Sequence, residues 1–260
     1  MNAYTYCWNQ PLTFVDLDGE EPVSVNDEAE KYDRHIIFVH GTVVLGAGGN
    51  KGKSDPHGQW GNYVQPLVVE HFGVPEVNTH NPNWVGNNNT AVRQAGGLVV
   101  AELLYDILDA NPNAEILIIG YSHGGNVSKI GLNHAHHEME LDLSNVTLLG
   151  TAVPALYAYQ LSVSTRESLN YHLNFYNNHD TTQRSLALIG SSGSRVRIDG
   201  HEIGRAQHFA TNIEVQRYLP RGSSVRPVAP HEVMANSIDI WRHYMLAEIS
   251  RAKGWDRECD

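Results

Sequence analysis

Gly120-Tyr121-Ser122-His123-Gly124 is a Gly-x-Ser-x-Gly sequence set between an apolar run at residues 115–119 and a segment of helical pattern at 127–137. A serine held in a sharp strand-to-helix turn has crowded backbone on both sides, and glycines at 120 and 124 remove the β-carbons that would clash there. The chemistry open to such a serine is attack on a carbonyl carbon. The first amides of the following helix, His123 foremost, then face the oxyanion that forms. A Gly-Ser turn that binds a phosphate, or that only joins a strand to a helix, is the plainer reading of the same residues.

A serine hydroxyl is a poor nucleophile near neutral pH and needs a histidine base whose tautomer is fixed by a carboxylate. On a strand-turn-helix serine the expected chain order is serine, acid, histidine. Asp180 follows the strand-like run 173–177 and is the expected acid. Asp199, in Arg197-Ile198-Asp199-Gly200, reads as a hairpin-turn residue, and Asp142 precedes its strand rather than following it. Asp180 could also serve as a turn or helix-capping residue. Among the 15 histidines three are candidates for the base: His201, His208 and His231. With residues 212–219 as the last strand, His231 falls in the loop beyond it and is preferred. His208 is the second choice. A further oxyanion donor is expected from the loop after the first strand, His40-Gly41-Thr42, as the amide of Thr42.

These residues need a sheet to hold them. Residues 35–39 form a short apolar run that opens into a glycine loop, as a buried parallel strand placed at the sheet centre would. Residues 91–110 carry Val92, Ala95, Val99, Leu103, Ile107 and Leu108 at helical spacing, ended by Asn111-Pro112-Asn113. Strand-like runs at 115–119, 146–150, 173–177 and 212–219 alternate with helical segments, and 233–253 has the spacing of a closing helix. The expectation is an α/β fold with a mostly parallel central sheet flanked by helices. Residues 43–90 read as long loops with one short helix at 63–71, and a loop of that length could form a lid over a pocket.

The formal net charge of −11 argues against a nucleic-acid partner. Cys7 and Cys259 lie near opposite ends and form no disulfide framework. No apolar stretch is long enough to span a bilayer, and the N-terminus lacks the order of a signal peptide. His134, His136 and His137 sit close together on one helical segment, but neighbours on a helix share a face only when three or four apart, so no catalytic metal and no cofactor are expected.

Residues 1–30 differ in character from residues 31–260, which are expected to form one catalytic domain. Tyr4-Thr5-Tyr6, Asn9-Gln10-Pro11 and Asp16-Leu17-Asp18-Gly19 resemble the end of the RHS-repeat core of bacterial polymorphic toxins, with departures at Gln10 and Leu17. A frayed hairpin turning on Asp18-Gly19 is the alternative. The stretches Phe38-Val39-His40-Gly41-Thr42, Trp84-Val85-Gly86, Ala91-Val92-Arg93 and Gly120 to Asn126 resemble α/β-hydrolase lipases and esterases, including lipase-type toxins attached to RHS cores. The resemblance implies an acyl-enzyme on Ser122, with His231 as base and Asp180 as acid. It implies a lipid or phospholipid ester as substrate. It also implies an antibacterial effector, delivered from the producer's cytoplasm by a specialised system such as type VI secretion, and a cognate immunity protein that protects the producer. A housekeeping carboxylesterase or thioesterase, or a catalytically silent binding module of the same fold, are the other readings.

Overall fold

In the computed structural model the described residues are 14–15, 23–24, 33–41, 64–86, 89–154, 157–176, 197–198, 201–202, 210–215, 234 and 237–253. Six strands make one all-parallel sheet: β1 (Arg34–Val39), β2 (Thr79–His80), β3 (Glu115–Tyr121), β4 (Val146–Thr151), β5 (Tyr171–Tyr176) and β6 (Thr211–Glu214). Their order across the sheet is β6-β5-β4-β3-β1-β2. The helices are α1 (Gln65–Phe72), α2 (Thr90–Ala110), α3 (His123–His137), α4 (Val163–Ser168) and a closing run over 238–253, α5, whose middle turn Trp241–Met245 is π-helical. The fold is α/β, as the alternating pattern requires.

Strand residues alternate between two cores. Ile36, Phe38, Leu117 and Ile119 face one way and pack with Val68 and Phe72 of α1 and with Trp241, Met245 and Ile249 of α5. Ile37, Val39, Ile116 and Ile118 face the other way and pack with Val100 and Leu104 of α2 and with Val127 and Leu132 of α3. Both faces of the sheet are therefore covered at its centre, which is why β1, β3 and β4 read as continuous apolar runs rather than as alternating ones.

Three details differ from the sequence pattern. The first strand is not central: β2 lies outside it, and β3 and β4 occupy the middle. Residues 79–80 carry no apolar periodicity to announce a strand, and the two-residue pairing with Ile36 and Ile37 is set by the neighbouring chain. The buried face of α2 is also rotated from the expected one. Arg93, Gly96, Gly97, Val100, Ala101, Leu104, Ile107 and Leu108 are buried, Val92, Val99 and Leu103 flank them, and Ala95 is exposed. The reason is close packing on α3: a β-carbon at Gly97 would meet Ile130 Cγ2 at 2.4 Å. Hydrophobic counting leaves out glycines that mark a helix contact. Finally, α4 lies in a stretch where no helix is expected; Ser162 caps it by accepting from the Thr165 amide at 3.0 Å.

The short helix near 63–71 is α1, entered with Pro66 in its first turn and closed by Gly73 in the left-handed region at φ 61°. Residues 42–63 lie outside the described residues, and with them the question of a lid. Arg197–Ile198 pairs with His201–Glu202 in an antiparallel ladder, and Asp199 itself lies outside the described residues. Phe14–Val15 pairs with Val23–Ser24 in another antiparallel ladder that brackets Asp18-Gly19.

The edge strand is secured by a chain of polar side chains at the N-terminal end of the sheet. His35 Nε2 donates to Asp33 Oδ1 at 2.9 Å, and His35 Nδ1 lies 2.9 Å from His80 Nε2. A carboxylate can only accept, so in a neutral His35 the proton is on Nε2 and its bare Nδ1 accepts from His80 Nε2–H. Asp33 also accepts from Asn78 and from Asn111, joining β1, β2 and the turn after α2. Burial, followed by the neighbouring His35, lowers the pKa of His80 below its ordinary 6.5. The unfolded chain then binds a proton that the folded chain rejects, so this contribution is present above the ordinary histidine range and is lost as pH falls through it. His80→Gln keeps an N–H donor and cannot titrate. In urea unfolding at about pH 8 and about pH 5, the variant is expected to lose less stability on acidification than the wild type; equal losses would show that His80 titrates alike in both states.

Candidate active site

Ser122 is the first point where the backbone departs from regular structure after β3. It caps α3 with φ 52° and ψ −126°, a conformation rare for a residue with a β-carbon. Two backbone bonds hold it there. Its amide donates to Thr151 O of β4 at 2.9 Å, and its carbonyl accepts from the Gly125 amide at 3.1 Å. The next strand end repeats the pattern, with Ala152 at φ 53° and its amide donating to Phe175 O of β5 at 3.0 Å.

Close backbone approach explains the glycines. A β-carbon on Gly124 would stand 2.0 Å from Val39 O and 2.5 Å from His40 O, and one on Gly120 would meet Gly125 Cα at 2.5 Å. The first turn of α3 thus rests directly on the carbonyls that end β1. Gly41 lies against the serine itself, since a β-carbon there would come within 2.9 Å of Ser122 Cβ. The loop after β1 and the turn after β3 are therefore in van der Waals contact at the C-terminal ends of the strands, where such sheets hold their ligands.

His123 occupies the first residue of α3, a position whose amide has no intrahelical acceptor. Its side chain is buried, with Nδ1 3.3 Å from Asn126 Nδ2, and the same Asn126 amide donates to Pro154 O at 3.1 Å. Asn126 thereby joins the elbow to the chain leaving β4, a link with no signature in the sequence. His40 is likewise buried. Its Nδ1 is 2.7 Å from Gly41 O and its Nε2 is 3.1 Å from Trp84 O.

Behind the elbow Gly125, Lys129, Leu148, Gly150, Val153, His172 and Asn174 surround a narrow gap too tight to hold a water molecule. Burial lowers the Lys129 pKa to about 7. Burial and then the Lys129 charge lower that of His172 to about 3. Sequence reading misses this group because Lys129 falls on an amphipathic helix where a lysine normally faces water.

Of the residues expected from the sequence, Ser122 and His123 are described, as the N-cap and the first residue of α3. Thr42, Asp180, His208 and His231 lie outside the described residues. The neighbouring elements are described, however. Asp180 follows the end of β5 by four residues in the chain. The edge strand β6 is Thr211–Glu214, so His208 precedes it and His231 follows it. His201 belongs to the hairpin ahead of β6. Met234, three residues beyond His231, is buried in the core, and its carbonyl lies 3.5 Å from the hydroxyl of Thr151. Thr151 is also the residue whose own carbonyl receives the Ser122 amide. Among the described residues no His, Cys, Asp and Glu group could hold a metal ion. His137 instead faces the Ser162 hydroxyl at 2.7 Å. No helix among the described residues is long and apolar enough to cross a membrane.

Compared by sequence, the chain matches no family model and no curated protein. Solved structures similar to it include an iodinated acetyl xylan esterase complex, at 13% identity and TM-score 0.39 over 84% of this chain and 98% of the other. An acetylxylan esterase is similar at 13% identity and TM-score 0.35, over 86% and 97% of the two chains. A predicted CIB-like hydrolase from Thermoplasma acidophilum is similar at 14% and 0.35, over 92% and 96%. The parallel sheet, the strained serine between β3 and α3 and the glycine loop after β1 make this an α/β-hydrolase fold.

Gly124→Ala forces a methyl group into two backbone carbonyls that have no side-chain freedom to yield. The expected result is a loss of about 3 kcal/mol in urea unfolding. Wild-type stability would show that α3 does not rest on β1 in this way.

Proposed function

We propose that this protein is a serine hydrolase that cleaves carboxylic esters through an acyl-enzyme on Ser122. The observation that carries this reading is the strained Ser122 at the head of α3, φ 52°, pressed against Gly41 of the loop after β1. Strain of this kind costs about 1–3 kcal/mol and persists where the surroundings fix it, which is common at catalytic groups.

In the proposed reaction Ser122 Oγ attacks the ester carbonyl while His231 takes its proton, and Asp180 holds the imidazole in the required tautomer. The tetrahedral oxyanion is stabilised by the amides of His123 and Thr42. Collapse breaks the bond to the alcohol, which leaves with the proton from His231. Water then attacks the acyl-enzyme with His231 again as base, releasing the carboxylic acid and restoring Ser122.

The choice of His231 over His208 is supported by its order after β6 and by Met234. Each residue advances the chain by at most about 3.6 Å, so three residues tie His231 to a carbonyl that faces Thr151, the partner of the Ser122 amide. Asp180 is supported by its position four residues after β5, whose Phe175 carbonyl anchors the strained Ala152.

The substrate of this reading is a lipid or phospholipid ester, and the role is that of an antibacterial effector carried into competing cells. An immunity protein would cover the cleft through loops in residues 43–90. This part rests on the RHS-like residues before Glu30 and on the lipase-like motifs.

Ser122→Ala is expected to abolish hydrolysis of p-nitrophenyl esters with little change in melting temperature, and retained turnover would overturn the mechanism. His231→Ala should lose turnover about a thousandfold or more, and His208→Ala severalfold at most; the reverse ranking moves the base to His208. Release of fatty acid from phospholipid vesicles by the wild type, absent in Ser122→Ala, is the expected mark of the lipid substrate. Turnover confined to short soluble esters would contradict it.

A further inference from the structure

Ser122 and Ala152 both hold positive φ, at 52° and 53°, and each follows one of the paired residues Tyr121 of β3 and Thr151 of β4. Backbone of this kind relaxes unless the surrounding structure over-determines it. On one side the two strained residues are closed off by the backbone bond from the Ser122 amide to Thr151 O at 2.9 Å. On the other side a side chain closes them off. Asn126 Nδ2 donates to Pro154 O at 3.1 Å, beyond Ser122 along α3 and beyond Ala152 along the chain leaving β4. The two bonds complete a ring through residues 122–126 and 151–154, and both strained residues and the His123 amide belong to it. Val153 fills the space between its two sides, since a β-carbon on Gly125 would stand 2.3 Å from Val153 Cγ2.

The same Nδ2 lies 3.3 Å from His123 Nδ1. An amide nitrogen only donates, so Nδ1 accepts and a neutral His123 carries its proton on Nε2. One NH2 group thus holds both the carbonyl that completes the ring and the side chain of the residue whose backbone amide faces the oxyanion. Pro154 O can only accept, which fixes the orientation of the Asn126 amide. Asn126 Oδ1 is left buried with no hydrogen-bond partner among the described residues, in a side chain of 0% exposure. An apolar side chain would bury here without a bare acceptor. Packing therefore does not account for an asparagine at this position, and its two N–H contacts do.

We propose that Asn126 is a positioning residue: by completing this ring it holds Ser122 in its strained form and keeps the His123 amide aimed at the oxyanion of the function proposed above, on which this inference rests. Without its bond the chain leaving β4 lifts from α3, and Ser122 relaxes toward ordinary φ, which turns the hydroxyl and the amide that follows it. The loss falls on the transition state and not on the bound ester, because the donor meets a full charge only after attack.

Asn126→Leu removes both N–H groups, and Asn126→Ser carries a hydroxyl too short to reach Pro154 O. Asn133→Ala is the structural control. On the same helix Asn133 Nδ2 donates to Gln160 O at 2.9 Å and its Oδ1 accepts from the Ser162 amide at 2.9 Å, which ties α3 to the later part of the same connection, away from the serine. For these variants, wild type and Ser122→Ala, the measurements are kcat and KM on one p-nitrophenyl ester, the inhibition constant of a trifluoromethyl ketone that adds to the serine, and the melting temperature. In Asn126→Leu, kcat is expected to fall about tenfold to a hundredfold with KM within twofold, and the ketone to bind more weakly by the same factor. Asn126→Ser should show the same coupled loss. Asn133→Ala should lower the melting temperature and leave kcat and ketone affinity at wild-type values. Asn126 variants that behave as Asn133→Ala does, less stable but with unchanged kcat and ketone affinity in the folded protein, overturn the proposal. If Asn126→Leu does not fold, the coupled loss in Asn126→Ser supports it and wild-type kcat there overturns it. Wild-type kcat in the Asn126 variants beside an inactive Ser122→Ala refutes the positioning role alone. Full activity in Ser122→Ala refutes the hydrolase reading and this inference together.

Discussion

The first turn of α3 lies on the last carbonyls of β1 with no side chain between them, and the rest of the site depends on that contact. A β-carbon at Gly124 would stand 2.0 Å from Val39 O, so the two backbones are as close as the chain permits. The approach forces the turn at Ser122 into its strained form and brings Gly41 against the serine. It also requires both cores to be filled, because α3 can press on the sheet only where Val127 and Leu132 bury against Ile116 and Ile118. The opposite face, with Trp241 and Met245, keeps the sheet from yielding.

The strain at Ser122 is held by neighbours on the adjacent strand. Thr151 receives the Ser122 amide, Ala152 adopts its own positive φ, and Phe175 receives the Ala152 amide. Three consecutive strand ends are thereby coupled in one direction across the sheet. In the other direction His40 and Trp84 couple β1 to the segment leaving β2. The serine sits between the two series.

The elements carrying this arrangement can be read from the sequence where local chemistry dictates them. The apolar runs that become β1, β3 and β4 are buried on both faces, and β5 is buried only over Leu173 to Phe175. The Gly-x-Ser-x-Gly turn follows from sterics. Elements fixed by tertiary contact are different. The edge strand β2 is two residues of Thr79 and His80, held by β1 and by the Asp33–His35–His80 chain. The buried stripe of α2 runs through Gly96 and Gly97, which hydropathy does not count. At the site, Ser122 and the His123 amide follow from the motif, whereas Asn126, Lys129, Trp84 and the Thr151–Met234 contact come from chain segments far apart in sequence. Periodicity describes one element at a time and has no access to such pairs.

The central claim is that the strained serine is a nucleophile activated in a folded protein. Its most direct test is labelling with a fluorophosphonate, followed by intact mass and peptide mapping. The account predicts a single adduct per chain on the peptide that contains Ser122, absent from Ser122→Ala and blocked by prior denaturation of the wild type. A folded protein that gains no adduct, or one labelled equally well without Ser122, would contradict it.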